Sequence, residues 1–186
     1  MNLIFIITYA VWLISEVTLN RLLHSKSTDK QNADKNSLTV IWITIVAAIS
    51  LAVFISMRLY FTIFSNPEFR YAGLAVIFTG IFLRLAAIIT LGRFFTVDVT
   101  IRQDHKLKKD GLYKYLRHPS YFASLLSFIG FGISLNNWLS LALVTIAILV
   151  VFIIRIKFEE KILMEQFGIE YLEYKKTTSG LIPFIY

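Results

Sequence analysis

Residues 119–154 read PSYFASLLSFIGFGISLNNWLSLALVTIAILVVFII, 36 residues without a charge. An uncharged run of that length is a membrane signature, because one span takes about 20 apolar residues. Asn136-Asn137 divides it into halves of 17 residues, and paired asparagines favour turns and propagate helix poorly. The run therefore predicts a membrane helical hairpin. Pro119 starts the first arm, where its missing amide proton costs nothing. Polar residues frame both ends: Arg117 and His118 stand before Pro119, with Ser120 and Tyr121 in the first turn, and Arg155, Glu159 and Glu160 follow the second arm. A hairpin returns to the side it left, so the two polar clusters belong to one site.

Working outward, 56% of the 186 residues are apolar and the mean hydropathy is +0.66. The apolar residues come in blocks, which predicts an integral membrane protein. Three further spans are expected: 1–23, with Glu16 its only charge before Arg21; 38–57, uncharged; and 71–91, apolar apart from Arg84. Asn66-Pro67 breaks the chain between the last two. The expectation is an all-α, polytopic single domain with about five transmembrane helices, three in 1–91 and two in 92–186. The first stretch lacks a basic leader and a small-residue cleavage site, so it reads as a span rather than a signal peptide.

Lys and Arg accumulate on the cytoplasmic side of membranes. The first loop with its flank carries Arg21, Lys26, Lys30 and Lys35, whereas the second connection has only Arg58 and Arg70. The third loop holds seven basic residues between Arg93 and Arg117, the hairpin tip none, and the C-terminal segment five between Arg155 and Lys176. This alternation places the N-terminus outside, and both polar clusters and the C-terminus in the cytoplasm. Short loops favour a bacterial or archaeal plasma membrane; in a eukaryote the endoplasmic reticulum would be expected.

The net charge of +7 is spread over membrane-flanking loops, which suits lipid headgroups and not nucleic acid. No phosphate-binding glycine loop or dinucleotide fingerprint is present. The absence of cysteine rules out disulfides, thiolate metal sites and cysteine nucleophiles, and the three histidines, His24, His105 and His118, are too scattered to suggest a metal site. Arg155 and Glu159 are four apart and share a helix face. As an exposed pair they would matter little; at a membrane seam, ionisable groups default to function. Glu16 and Arg84, each alone in a span, either pair across helices as structural glue or line a lipid entrance, and glue is the expected role.

Gly111-Leu112-Tyr113, Arg117 to Tyr121, Glu159-Glu160, Phe167-Gly168 with Glu170-Tyr171, Glu173 to Lys176, and Ile182-Pro183-Phe184 together resemble the isoprenylcysteine carboxyl methyltransferase family, in register over about 92–186. The resemblance implies an S-adenosyl-L-methionine pocket on the cytoplasmic side, between the loop before span four and the helix after span five. It implies cofactor contacts from His105, Leu107, Lys108, Tyr113, His118, Pro119, Ser120, Tyr121 and Glu159. It also implies that Arg155 meets the acceptor carboxylate, with His118 and Tyr121 at the reacting centre. The chemistry agrees: an acid can hold ribose hydroxyls or an ammonium, and a guanidinium clamps a carboxylate with two bonds. The implied reaction is O-methylation of a prenylated or alkylated acceptor, small molecule or protein, drawn from the bilayer, with no metal.

Two departures bear on the acceptor. Gly180 stands where many prokaryotic relatives carry an arginine before the final Leu-x-Pro, and Asp98 stands where animal members place a cofactor-binding glutamine. Methylation of a hydroxyl on an alkylated ring is the first alternative; that acceptor would need help in deprotonation, with His118 or Tyr121 as candidates. The tail is also similar to that of the membrane sterol-type reductases, which implies an NADPH site, although Glu159-Glu160 and the chain length argue against it. A non-catalytic lipid-binding protein is the third.

Overall fold

The computed structural model describes residues 2–22, 30–31, 37–96, 100–101 and 106–182. His105, Asp98 and Pro183-Phe184 lie outside the described residues. Among the described residues six α-helices carry the fold: α1 Leu3–Leu22, α2 Ser37–Arg58, α3 Arg70–Leu91, α4 Pro119–Ser134, α5 Trp138–Phe167 and α6 Ile169–Thr177. Lys30–Gln31 pairs antiparallel with Thr100–Ile101, two residues on each side. Apart from that two-residue pairing the described segments are helices and their connections, and the protein is a multi-pass membrane protein. Four helices, α1, α2, α3 and α5, are long and apolar enough to cross a bilayer, and α4 is a shorter apolar helix of 16 residues. Five apolar helices are thus present, one of them below full spanning length.

The connection between α4 and α5 explains the paired asparagines. Asn136 takes a left-handed φ of 53°, which asparagine tolerates better than most residues. Its side chain accepts from Phe64 N at 2.8 Å and donates to Phe64 O at 3.0 Å. Asn137 caps α5 by accepting from Ser140 N at 3.0 Å and donates to Leu59 O at 2.6 Å. The hairpin tip is thereby stitched to the segment joining α2 and α3, which fixes this end of the bundle.

The opposite end is staggered. Arg84 of α3 reaches the Ser120 carbonyl at 3.2 Å, so α3 runs on for seven residues, about 10 Å, past the level where α4 begins. Phe152 of α5 packs on Tyr121, ring centroids 5.2 Å apart, and α5 continues to Phe167. At 30 residues, α5 is about 45 Å long, against about 24 Å for α4. The charges from Arg155 onward do not end the helix; Gly168, with φ 52°, does. The start of α4 is therefore recessed between longer neighbours, and that recess is the floor of the site.

Packing is tightest between α3 and α4, where small residues face each other. A Cβ on Gly73 would lie 2.5 Å from Gly130 O, and one on Gly130 would lie 2.7 Å from Gly73 O. Lipid gives apolar helices no reason to associate, so close backbone approach of this kind supplies the contact. α5 packs on α2 and α4. α1 is the loosest helix: it buries only Phe5, Thr8 and Trp12, with Trp12 set edge-on against Phe128 at 4.8 Å.

Candidate active site

A cavity of about 1400 Å³, counting the space at its mouth, opens over the recessed start of α4. Its polar end is built from Leu107, Lys108 and Tyr113 before α4, from Arg117 to Tyr121 at its start, and from Glu159, Tyr171 and Tyr174 beyond. Its apolar lining comes from Leu38, Ile41, Trp42 and Ile45 of α2, with Phe128 of α4 and Phe152 of α5. Glu16 and Arg84 stand on the wall between the two.

The polar end is held by the chain's C-terminal segment. Leu116 and Ser179 form a parallel bridge, with Arg117 N donating to Ser179 O at 2.9 Å and His118 N to Gly180 O at 3.1 Å. The Arg117 guanidinium donates to Thr178 O and, at 3.2 Å, to Lys175 O. Its Nε meets Glu160 Oε1 at 2.8 Å, while Lys175 Nζ meets Glu160 Oε2 at 2.6 Å. Leu181 is fully buried in the core, so the apolar tail folds back onto the helices as far as it is described. The helical piece expected at Glu170 to Lys176 is α6, which buries Tyr171 and Tyr174.

Two adjacent carboxylates are thereby given different work. Glu160, 12% exposed, is consumed by two cations. Glu159, 29% exposed, faces the cavity. His118 is 4% exposed and stands between them, Nδ1 3.9 Å from Glu159 Oε2 and Nε2 3.5 Å from Glu160 Oε1. These are charge contacts only for a protonated ring, and Nε2 makes no geometrically sound hydrogen bond among the described residues. The Tyr121 hydroxyl interacts with the side chains of both Arg155 and Glu159.

The tyrosines of the polar end are neutral donors and acceptors. Burial, with the Glu159 carboxylate adding to it, pushes the Tyr113 hydroxyl up from its ordinary value. Burial and then Glu160 do the same for Tyr171. Tyr174 is pushed up to about 12 by burial, with Arg117 pulling partly back; its hydroxyl donates to Tyr113 O at 2.5 Å. An apolar surrounding disfavours the phenolate, so this wall adds no negative charge near neutral pH.

Leu107, Lys108, Tyr113, His118, Pro119, Ser120, Tyr121 and Glu159 all line the one cavity. His105 lies outside the described residues. Arg155 is only 1% exposed and sits behind the wall, reaching the site through Tyr121. Sequence reasoning passed over Tyr171, Tyr174, Trp42 and the aromatic pair Phe94-Phe95 as lining residues. Glu16 and Arg84 do pair across helices, Arg84 Nη2 lying 3.1 Å from Glu16 Oε2. Both also line the cavity. Their signal was a lone charge in each of two apolar spans.

A model of the isoprenylcysteine carboxyl methyltransferase family matches residues 72–165, beginning within α3 rather than at residue 92. The protein-S-isoprenylcysteine O-methyltransferase A of Arabidopsis thaliana is 36% identical over 115 residues, 61% of this chain and 58% of that protein. The protein-S-isoprenylcysteine O-methyltransferase of Saccharomyces cerevisiae is 38% identical over 115 residues, 61% of this chain and 48% of that protein. A solved structure, described as the eukaryotic intramembrane Ras methyltransferase, aligns with a TM-score of 0.61 and 28% identity, over 82% of this chain and 54% of that one. The chain spans about half the length of the relatives it matches. Since the family model covers half of the chain, including Arg84, the start of α4 and Glu159 on the cavity wall, the chain belongs to the isoprenylcysteine carboxyl methyltransferase family.

Proposed function

We propose that the protein transfers methyl from S-adenosyl-L-methionine to an oxygen, in first place a carboxylate, of a prenylated or otherwise lipophilic acceptor at the membrane interface. One observation carries the reading: a single cavity joins a polar chamber bordered by Glu159, a carboxylate that no Lys or Arg consumes among the described residues, to a wall of apolar side chains from α2, α4 and α5. A soluble charged cofactor and a lipid-borne acceptor need such a junction.

The donor set fits the cofactor. Glu159 offers an anion for ribose hydroxyls or an ammonium, neutral Tyr113 and Tyr174 offer aromatic faces, and His118 Nε2 is a buried polar atom without a sound partner among the described residues. Leu107, Lys108, Pro119, Ser120 and Tyr121 complete the wall, and His105 is proposed to join it on the family resemblance. When bound, the cofactor supplies an electrophilic methyl on a sulfonium.

The chain's own residues then align and exclude water. A carboxylate with a pKa of about 4 arrives ionised, so no residue has to take its proton. Holding the oxygen in line works through proximity, and the apolar walls keep the reacting centre dry. Arg155 holds the Tyr121 hydroxyl and adds positive potential where the acceptor anion arrives. Following the loop charges, the polar chamber and the C-terminus face the cytoplasm.

Calorimetry on the detergent-purified protein with S-adenosylhomocysteine, beside NADPH, tests this reading. Saturable binding of the former, lost in Glu159→Ala and weakened in His118→Ala, is expected. Binding of NADPH alone would replace the reading with a reductase, and binding of neither by folded protein would remove the cofactor chamber.

A further inference from the structure

Tyr171 of α6 lines the polar end of the cavity. The residue is 1% exposed, and its hydroxyl makes no hydrogen bond of sound geometry among the described residues. Tyr174, one turn on, shows the contrast. Its hydroxyl is committed, donating to Tyr113 O at 2.5 Å, and the two rings meet edge-on with centroids 6.1 Å apart. The Glu160 carboxylate lies beside the Tyr171 hydroxyl, but Arg117 Nε at 2.8 Å and Lys175 Nζ at 2.6 Å already hold it. A buried hydroxyl left unpaired is costly, and native proteins keep few of them.

The charges around this hydroxyl favour an anion. Two cations on one carboxylate give the group of Arg117, Glu160 and Lys175 a surplus positive charge. On the other side of His118 stands Glu159, facing the cavity. The chamber thus presents a carboxylate on one side and a hydroxyl backed by positive charge on the other. S-Adenosyl-L-methionine carries an ammonium and a carboxylate on one carbon atom, so its amino-acid end needs an anion and a donor close together. Glu159 suits the ammonium and repels the carboxylate. Tyr171 suits the carboxylate: burial, and after it Glu160, keeps the hydroxyl protonated, while Arg117 pulls the other way. That pull marks a cation near enough to favour negative charge at the same place, and a donor facing an ionised acceptor makes the stronger kind of hydrogen bond.

We propose that Tyr171 is a cofactor-recognising residue, its hydroxyl donating to the carboxylate at the cofactor's amino-acid end while Glu159 takes the neighbouring ammonium. The inference rests on the methyltransferase reading of the cavity and deepens it. Glu159 and Tyr171 belong to α5 and α6, on either side of Gly168. Along one continuous helix they would stand about 18 Å apart; the break at Gly168, with φ 52°, lets both line one chamber. Two contacts on one carbon atom's substituents then set which way the cofactor lies.

The test is calorimetry on the full chain in detergent with two probes: S-adenosylhomocysteine, and its decarboxylated analogue, in which hydrogen replaces the amino-acid carboxylate. The wild type should bind the intact probe more tightly. Tyr171→Phe keeps the buried ring and removes only the hydroxyl. It should weaken the intact probe by about tenfold or more, the loss of a charge-assisted hydrogen bond, and leave the decarboxylated probe and the thermal midpoint of the unliganded protein unchanged. Glu159→Ala should weaken both probes, since both keep the ammonium. Three results overturn the inference: a wild type that does not distinguish the probes, a Tyr171→Phe variant that binds the intact probe as the wild type does, or one that loses both probes equally as its midpoint falls, which would make Tyr171 a packing residue. In each case S-adenosylhomocysteine binding by the wild type keeps the cavity reading intact. Failure of the wild type to bind S-adenosylhomocysteine removes the cavity reading and this inference with it.

Discussion

Arg117 and Glu160, 43 residues apart in sequence, meet at 2.8 Å with side chains 9% and 12% exposed. The contact ties the turn before α4 to the outer part of α5, and through Lys175 and the Thr178 carbonyl it fastens the C-terminal segment over both. Breaking a buried pair from one side leaves an unmatched charge, which costs about 3–5 kcal/mol, whereas replacing both partners with apolar groups is often near neutral. Glu160→Ala is therefore expected to lower stability by about 3 kcal/mol. Arg117→Met with Glu160→Met should recover only part of it, because the Thr178 and Lys175 carbonyls also lose the guanidinium, as read by thermal unfolding in detergent. A loss below about 1 kcal/mol would mark an ordinary surface pair.

The helices themselves were legible in the sequence. Spans expected at 38–57 and 71–91 are found at Ser37–Arg58 and Arg70–Leu91, because runs of apolar residues closed by charges or by Asn-Pro leave a bilayer-crossing chain few choices. The turn at Asn136 was legible for the same local reason. What lay hidden was neighbourhood. Lipid and protein interior are both apolar, so a membrane helix does not advertise which face it buries. A lone charge in each of two apolar spans points to the Glu16–Arg84 pair, but nothing in the order of residues says that Ser120 and Ser124 of α4 join it. Arg155 and Glu159 share a helix face, yet one is 1% exposed and the other 29%, a difference made by the recessed start of α4 and by Tyr121.

The glycines between α3 and α4 set how closely those helices approach, and hence where Arg84 meets Ser120. A Cβ at Gly130 would lie 2.7 Å from both Gly73 O and Ile77 N. Those neighbours are backbone and cannot rotate aside. Gly130→Ala should cost about 1–3 kcal/mol, the usual range for overpacking, and should weaken acceptor binding more than S-adenosylhomocysteine binding, because the strain falls on the wall carrying Arg84. Comparison of both affinities with the thermal midpoint checks this; an unchanged midpoint would mean that α3 and α4 are further apart in the membrane.

Asn136 combines a left-handed backbone with two side-chain bonds to Phe64. Asn136→Gly keeps the backbone freedom and loses only the bonds, whereas Asn136→Ala loses both. The glycine variant should cost about 1–2 kcal/mol and the alanine variant about 1 kcal/mol more, following the net value of hydrogen bonds and the αL penalty for a residue with a Cβ. Equal losses would assign the whole role of Asn136 to its side chain.

The tyrosines give the proposed reaction a pH signature. For each of Tyr113, Tyr171 and Tyr174 the folded protein holds the hydroxyl pKa above its ordinary value near 10, to about 12 at Tyr174 and further at the other two. A raised native pKa favours the protonated form in the fold. The stability it contributes is complete below about pH 10 and is lost as pH rises through the native value. Below pH 9 these groups ionise in neither state. A carboxylate acceptor is ionised throughout the same range, so kcat/KM should be level between about pH 7.5 and 9. With a phenolic acceptor the reactive anion becomes more abundant by about tenfold per pH unit below its pKa, and the rate should climb. Measuring both acceptors side by side on one preparation separates the two chemistries. A climbing profile with the carboxylic acid would mean that proton removal limits the reaction, which the proposed alignment mechanism does not allow.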